Sequence, residues 1–227
     1  MRTTLFIAFA AASSLSATTI NTGQLGTMQT FSDPVWTIAA APAGNGMNSS
    51  GPAFLEQNNY PQPGGKVWNT TGLPPISVAN YISAGDCGRI FASAACPGGV
   101  YKFVTSFSIA NPASALLTFS VAGDNRVEVY LNNNFLYGQG DASGVLSTGW
   151  AAMSAVQTIT NTSNPGAFTA GSNTLELRVI NDSGYTGGIL VGNFTATPEP
   201  ATTGLAGVAL SALGLALRRR NNRRNPE

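Results

Sequence analysis

The chain reads as an all-β sandwich, and three observations predict it. Only 9% of its residues are charged, against roughly 25% in an average soluble domain. Gly, Ser, Thr and Asn stand in for the missing charges, and these residues serve turns and exposed strand faces. A helical bundle would need Glu, Lys and Ala at helical spacing instead. Secondly, apolar and polar side chains alternate through most of the second half, the signature of half-buried strands. Thirdly, clusters of Gly, Asn, Asp and Ser divide these segments, and short strands cut by turns are the pattern of a two-layer β domain.

The elements come in order. FSDPVWTIAAAPAG predicts a first strand around Val35–Ala40. GMNSSGPAFLEQNNYPQPGGKVWNTTG reads mostly as loop, with Val67-Trp68 as a short edge, because no periodicity lasts there. YKFVTSFSI sets Tyr101, Phe103, Thr105, Phe107 and Ile109 on one face. ALLTFSVAGDN does the same with Leu117, Phe119 and Val121, and then turns at Gly123-Asp124-Asn125. RVEVYLNNN points Val127, Val129 and Leu131 inward and Arg126, Glu128 and Tyr130 outward. The Asn132-Asn133-Asn134 run suits a tight hairpin, since Asn tolerates positive φ. GSNTLELRVIND alternates Leu175, Leu177 and Val179 with Glu176 and Arg178, and GGILVGNFTA supplies a last strand.

This order has a known counterpart. GDNRVEVYLNNN, a longer excursion, then AGSNTLELRVIND resembles the galactose-binding-like jelly roll, which sets a D-x-x-x-V-Y-L-N-G strand before a G-x-N-x-L strand. The likeness covers roughly residues 101–196, with Asn133 where Gly is usual. It implies a jelly-roll β-sandwich and reports packing and turn geometry more than any ligand.

Both ends carry segments of another kind. MRTTLFIAFAAASSLSA has one Arg, an apolar core from Leu5 to about Ala12, then small residues. That predicts a secretory signal peptide over 1–17, removed by signal peptidase near Ser14 to Thr18. A buried first strand or helix is the competing reading, and Met-Arg followed directly by an apolar run argues against it. At the other end an uncharged run, 201–217, meets Arg218, Arg219, Arg220, Arg223 and Arg224. At 1.5 Å per helical residue that run reaches roughly 25 Å, near the lower limit for a transmembrane helix. The arginines form a membrane stop held in the cytosol, which leaves everything before Pro198 outside. A GPI signal would end in its apolar tail, and a plain anchor would not call for Pro-Glu-Pro.

Pro198-Glu199-Pro200, the apolar span and the Arg cluster together resemble the PEP-CTERM sorting signal of Gram-negative bacteria. The resemblance implies export, transient anchoring in the inner membrane with the domain periplasmic, processing by an exosortase, and delivery to the surface or extracellular matrix. Proteins with such signals commonly accompany exopolysaccharide. Glu199 would be the recognition residue, held in an extended form by its prolines. The expected organisation is therefore signal peptide 1–17, sandwich 20–197 and sorting signal 198–227.

The sequence restricts chemistry sharply. There is no histidine, so His-based triads, most zinc sites and the commonest general base are excluded. Between Ile20 and Thr197 five basic residues face eight acidic ones, a balance of −3 that gives nucleic acid no footprint. Asp124 and Glu128 are four apart, so in a strand they would share a face and could act as a carboxylate pair on a glycoside. Arg126 between them makes an outward ion-pair ladder the simpler reading, and the chain is not expected to be an enzyme. Cys87 and Cys96, the only cysteines, suit one disulfide in an exported protein; their spacing is not Cys-x-x-Cys.

Trp36, Trp68, Trp150, Tyr60, Tyr137 and Tyr185 could offer flat faces to sugar rings or serve as core and loop anchors. Trp150, after GQGDASGVLSTG, is the most site-like, and Asp124, Asp141 and Tyr137 complete the candidate ligand set. Asp124, Asn125 and Asp141 could also hold a structural calcium, though in no specific spacing; no other cofactor is expected. The function expected is a non-catalytic, exported module that contacts carbohydrate. The alternative is a structural or adhesive matrix protein with protein partners.

Overall fold

The computed structural model describes residues 16–23, 32–44, 47–56, 79–85, 96–139, 153–182, 184 and 186–196. The Val67-Trp68 edge lies outside them, as do most of the expected leader and the whole segment 197–227.

The described residues form β1 (Ser16–Thr19), β2 (Ser32–Ala40), β3 (Gly51–Glu56), β4 (Tyr81–Ser83), β5 (Gly99–Ile109), β6 (Leu116–Asp124), β7 (Arg126–Leu131), β8 (Asn134–Gln139), β9 (Gln157–Thr160), β10 (Gly171–Asn181) and β11 (Gly187–Ala196). The 3-10 turn Pro112–Ser114 joins β5 to β6. The expected all-β class is what the chain adopts.

Hydrogen bonding runs in the order β8-β7-β10-β5-β2-β3-β4-β11-β6-β9, with β1 added to β11. Every pair is antiparallel. One layer is β8-β7-β10-β5-β2, the other β4-β11-β6-β9 with β1, and the β2–β3 pair joins them. From β4 onward, only β7 and β8 are successive strands in one layer. The others alternate layers, as strands of a jelly roll do. β10 lies across the core from β6 and β11.

Period two fixes which residues fill that core. Tyr101, Phe103, Phe107 and Ile109 of β5 meet Leu175, Leu177 and Val179 of β10 and Val127, Val129 and Leu131 of β7, all buried. The opposite layer supplies Leu117, Phe119, Val121, Leu190 and Phe194, and Phe107 stacks on Phe194 at 4.5 Å between ring centroids. The layers approach so closely at Gly188 that a Cβ there would stand 2.6 Å from Val179 Cγ2. The β7–β8 turn places Asn132 and Asn133 at φ 50° and 66°, the left-handed conformation expected of this run. Asn173, fully buried, secures that turn: its Oδ1 accepts from Asn132 Nδ2 (2.7 Å) and the Thr169 N–H (2.9 Å).

Two strands lie where the sequence reads otherwise. β3 forms within the stretch read mostly as loop, because Ala53 and Leu55 alternate into the core behind a Gly-Pro start. β1 begins at Ser16, inside the segment expected to be leader, and its sequence SATT has no apolar alternation. It is held by register with β11 and by the anchoring of Ile20 and Thr22 just beyond it. Ile20 is buried, its N–H donates to the Gly192 carbonyl (3.0 Å), and its carbonyl accepts from Trp36 Nε1 (3.1 Å). Thr22 continues the pairing to Leu190.

Candidate functional site

The sandwich has two ends of unlike character. One carries the β6–β7 turn at Asn125, the β10–β11 connection at 182–186 and the entry to β5 at 96–98. Gln139 pairs with Val127, so β8 also finishes at this end. Asp124 is the last residue of β6. Asp141 and Trp150 lie outside the described residues.

Backbone and amide groups brace this end. The Asn125 N–H donates to the Ile180 carbonyl (3.1 Å), and Asn125 Oδ1 accepts the Asp182 N–H (2.9 Å). That oxygen, one of three considered for calcium, thus takes part in a structural latch. The described residues contain no group of three or more His, Cys, Asp or Glu side chains that could hold a metal ion. Beneath the latch, Tyr101 donates from its hydroxyl to the Pro97 carbonyl (2.6 Å), and Asn181 Nδ2 donates to the same oxygen (3.2 Å). Burial pushes the Tyr101 hydroxyl up to about 12, so it stays protonated and a donor throughout the physiological range. Cys96 is buried, donates its N–H to Gly184, and no described cysteine is free. Cys87 lies outside the described residues.

The outward face of β7 and β10 carries the expected ladder in a more elaborate form. Arg126 Nη2 lies 3.4 Å from Glu128 Oε1, and the Arg178 Nε pairs with Glu176 Oε1. Arg178 also lies over the Tyr130 ring, 3.7 Å from its centroid, while the Tyr130 hydroxyl donates to Glu128 Oε2 (2.9 Å). Burial, then the bond to Glu128, raises the Tyr130 pKa. With both glutamates engaged this way, the face behaves as an ion-pair and aromatic network. Asp124 and Glu128, weighed as a carboxylate pair on one strand face, lie on different strands, β6 and β7, on either side of the turn at Asn125.

Two predicted aromatic candidates turn out to support the fold. Trp36 is fully buried. Tyr137 packs on the core, edge-on to Phe119 at 6.3 Å. A register shift in the β7–β8 pair beside Tyr130 sets Phe135 opposite Tyr130 and Tyr137 opposite Val129. Phe135 therefore faces outward, 56% exposed and 5.5 Å from Tyr130, whereas Tyr137 faces in. A bulge re-aims side chains in this manner, and strict alternation cannot foresee it. Trp68, Tyr60, Tyr185 and Trp150 lie outside the described residues.

The opposite end carries Ser16 and Ala196, and there the chain passes into a recognisable signal. Residues 196–220 match the PEP-CTERM protein-sorting motif. This defines an exported protein, anchored in a membrane until an exosortase recognises and cuts it. Pro198, Glu199, Pro200 and the Arg218–Arg224 stop lie outside the described residues, among which no helix is long and apolar enough to cross a membrane.

Among solved structures, the chain is similar to a beta-glucuronidase from an uncultured Clostridium sp. (8% identity, TM-score 0.37, covering 86% of this chain and 31% of that one). It is also similar to a beta-glycosidase from Bacteroides vulgatus (13%, 0.34, 78% and 20%) and a cyclase from Fischerella sp. TAU (12%, 0.41, 81% and 100%). The chain spans between 20% and 31% of the length of the glycosidases it resembles. Likeness at this level assigns it no activity. Among curated proteins, none matches the sequence.

Proposed function

We propose that the protein is a non-catalytic surface or matrix module, delivered by its sorting motif, that contacts polysaccharide through the end remote from that motif. The observation carrying this reading is topological. Asp124, which ends β6 before the turn at Asn125, and the root of the 140–152 excursion, at Gln139 opposite Val127, belong to the same end. The excursion carries Asp141, two residues after that root, and Trp150 further along. Trp150 would cover the CH face of a sugar, and the two carboxylates would accept from its hydroxyls. Tyr137 would brace the root from the core side.

In this reading the chain is organised as a leader, a sandwich reaching from Ser16 to 197, and a tail 198–227. Signal peptidase cuts at or just before Ser16, so that β1 is kept. Residues 201–217 cross the inner membrane, and a Cys87–Cys96 disulfide closes the loop before β5. On the chain-entropy estimate such a bridge contributes about 2–3 kcal/mol.

The test is binding of the exported, processed protein to a glycan array. Binding lost in Trp150→Ala and kept in Phe135→Ala is the expected result. No glycan retained, or unchanged binding by Trp150→Ala, contradicts the sugar site.

One observation favours the alternative, an adhesive module with protein partners. A groove of about 330 Å³ lies on the outer side of β6 and β11, lined by Thr118, Met153, Val156, Val191 and Asn193. Val156 is 69% exposed at its rim. Glycan-independent retention of a protein partner, abolished by Val156→Asp, would favour that reading.

A further inference from the structure

The two apolar runs that the export reading puts in lipid depart from one end of the sandwich. β1 is antiparallel to β11 with Ser16 opposite Ala196. The chain before Ser16 and the chain after Ala196 therefore join the sandwich at the same end, at neighbouring strand ends about 5 Å apart. Only residues 13–15 separate Ser16 from the apolar run ending at Ala12, and only 197–200 separate Ala196 from the run 201–217. At no more than about 3.5 Å per extended residue, neither spacer lets this end rise more than on the order of 15 Å from its apolar run.

The rest of the end is built for the same neighbour. Its described connections are 110–115 between β5 and β6, Asn132-Asn133 between β7 and β8, and 161–170 between β9 and β10. The registers Ile109 opposite Gly171, Leu131 opposite Asn134 and Leu116 opposite both Thr160 and Thr195 bring them together. None of these connections, nor the strand ends 16–19 and 193–196, contains Asp, Glu, Lys or Arg. The opposite end has Asp124 as the last residue of β6, Arg126 as the first of β7, and Asp182 in the β10–β11 connection. Phe135, the most exposed aromatic ring described, stands beside the Asn132-Asn133 turn at the rim of the uncharged end.

We propose that this uncharged end is a lipid-facing surface. In the precursor it rests on the headgroups of the membrane that holds both apolar runs, and the charged end points away. The inference rests on the export reading. Thr, Ser and Asn exchange hydrogen bonds with headgroups, the absence of carboxylates from its described connections removes repulsion by anionic lipid, and a rim aromatic suits the interface. The sorting triplet then lies in the seam between folded sheet and bilayer, a single residue, Thr197, beyond β11.

The full chain, reconstituted in phosphatidylethanolamine–phosphatidylglycerol vesicles doped with a headgroup nitroxide lipid, tests this. A fluorophore is attached at Thr162→Cys, an exposed site on the uncharged end, or at Asp182→Cys, an exposed site on the other. The unsubstituted chain serves as the labelling control. Severalfold stronger quenching at Thr162→Cys than at Asp182→Cys is expected, and it should vanish when the domain is released. Flotation with the vesicles but equal quenching at both sites overturns the proposal and leaves the export reading standing. Failure to float overturns both. Self-quenching at Thr162→Cys without nitroxide quenching means that a second copy covers this end, and it too overturns the proposal.

Discussion

Ser16 and Ala196 stand opposite each other across the β1–β11 pair, so the first and last described residues of the sandwich are neighbours. Everything from Ser16 to Thr22 runs along one edge of β11 while β6 occupies the other. The last strand before the sorting motif is thus a central strand, secured from both sides.

Ile20 is the apolar anchor of that N-terminal strand. It is buried, and its backbone bonds to Gly192 and to the Trp36 indole. Ile20→Ala should cost about 2–5 kcal/mol, by lost transfer energy and a residual cavity. Urea unfolding of the processed protein measures it. A change below about 1 kcal/mol would mean that β1 is not part of the stable core.

Asn133, at φ 66°, bears the strain of the β7–β8 turn without a β-branched side chain. Asn133→Gly should leave stability within about 0.5 kcal/mol, whereas Asn133→Val should lower it by about 1–2 kcal/mol, the cost of a left-handed conformation. Equal melting of the two variants would contradict the turn assignment.

Asp33 is buried, and burial raises its pKa although the N–H groups of Val35, Gly23 and Trp36 pull it down. A folded pKa above the unfolded one means that the native state holds this proton more tightly. The stability it contributes is complete below the unfolded value of about 4 and is lost as pH rises through the folded pKa. Urea midpoints of the wild type should fall across that window. In Asp33→Asn the fall should be absent, since the amide oxygen can still accept from Val35 and Trp36. Parallel pH profiles would contradict it.

Much of this fold is legible locally. Tyr101 to Ile109, Val127 to Leu131 and Leu175 to Val179 declare their inward faces by alternation, and the Asn run declares its turn. What remains hidden is set by partners far along the chain. β1 has no pattern of its own and exists because β11, at the other end of the sequence, offers an edge. Phe135 and Tyr137, which alternation alone would put on one face, are sent to opposite faces by one register shift. The Arg178–Tyr130 stack depends on the β7–β10 register, which pairs Tyr130 with Glu176 and Arg178 with Glu128. Sorting is legible without any fold at all, because Pro-Glu-Pro, an apolar span and an arginine cluster act as a linear signal.

That signal is the part on which every other function depends, and one substitution addresses it. In an exosortase-bearing host, Glu199→Ala should leave an uncut precursor in the inner membrane, its sandwich folded and periplasmic, with release to the medium abolished. Normal cleavage and release of Glu199→Ala would contradict the account.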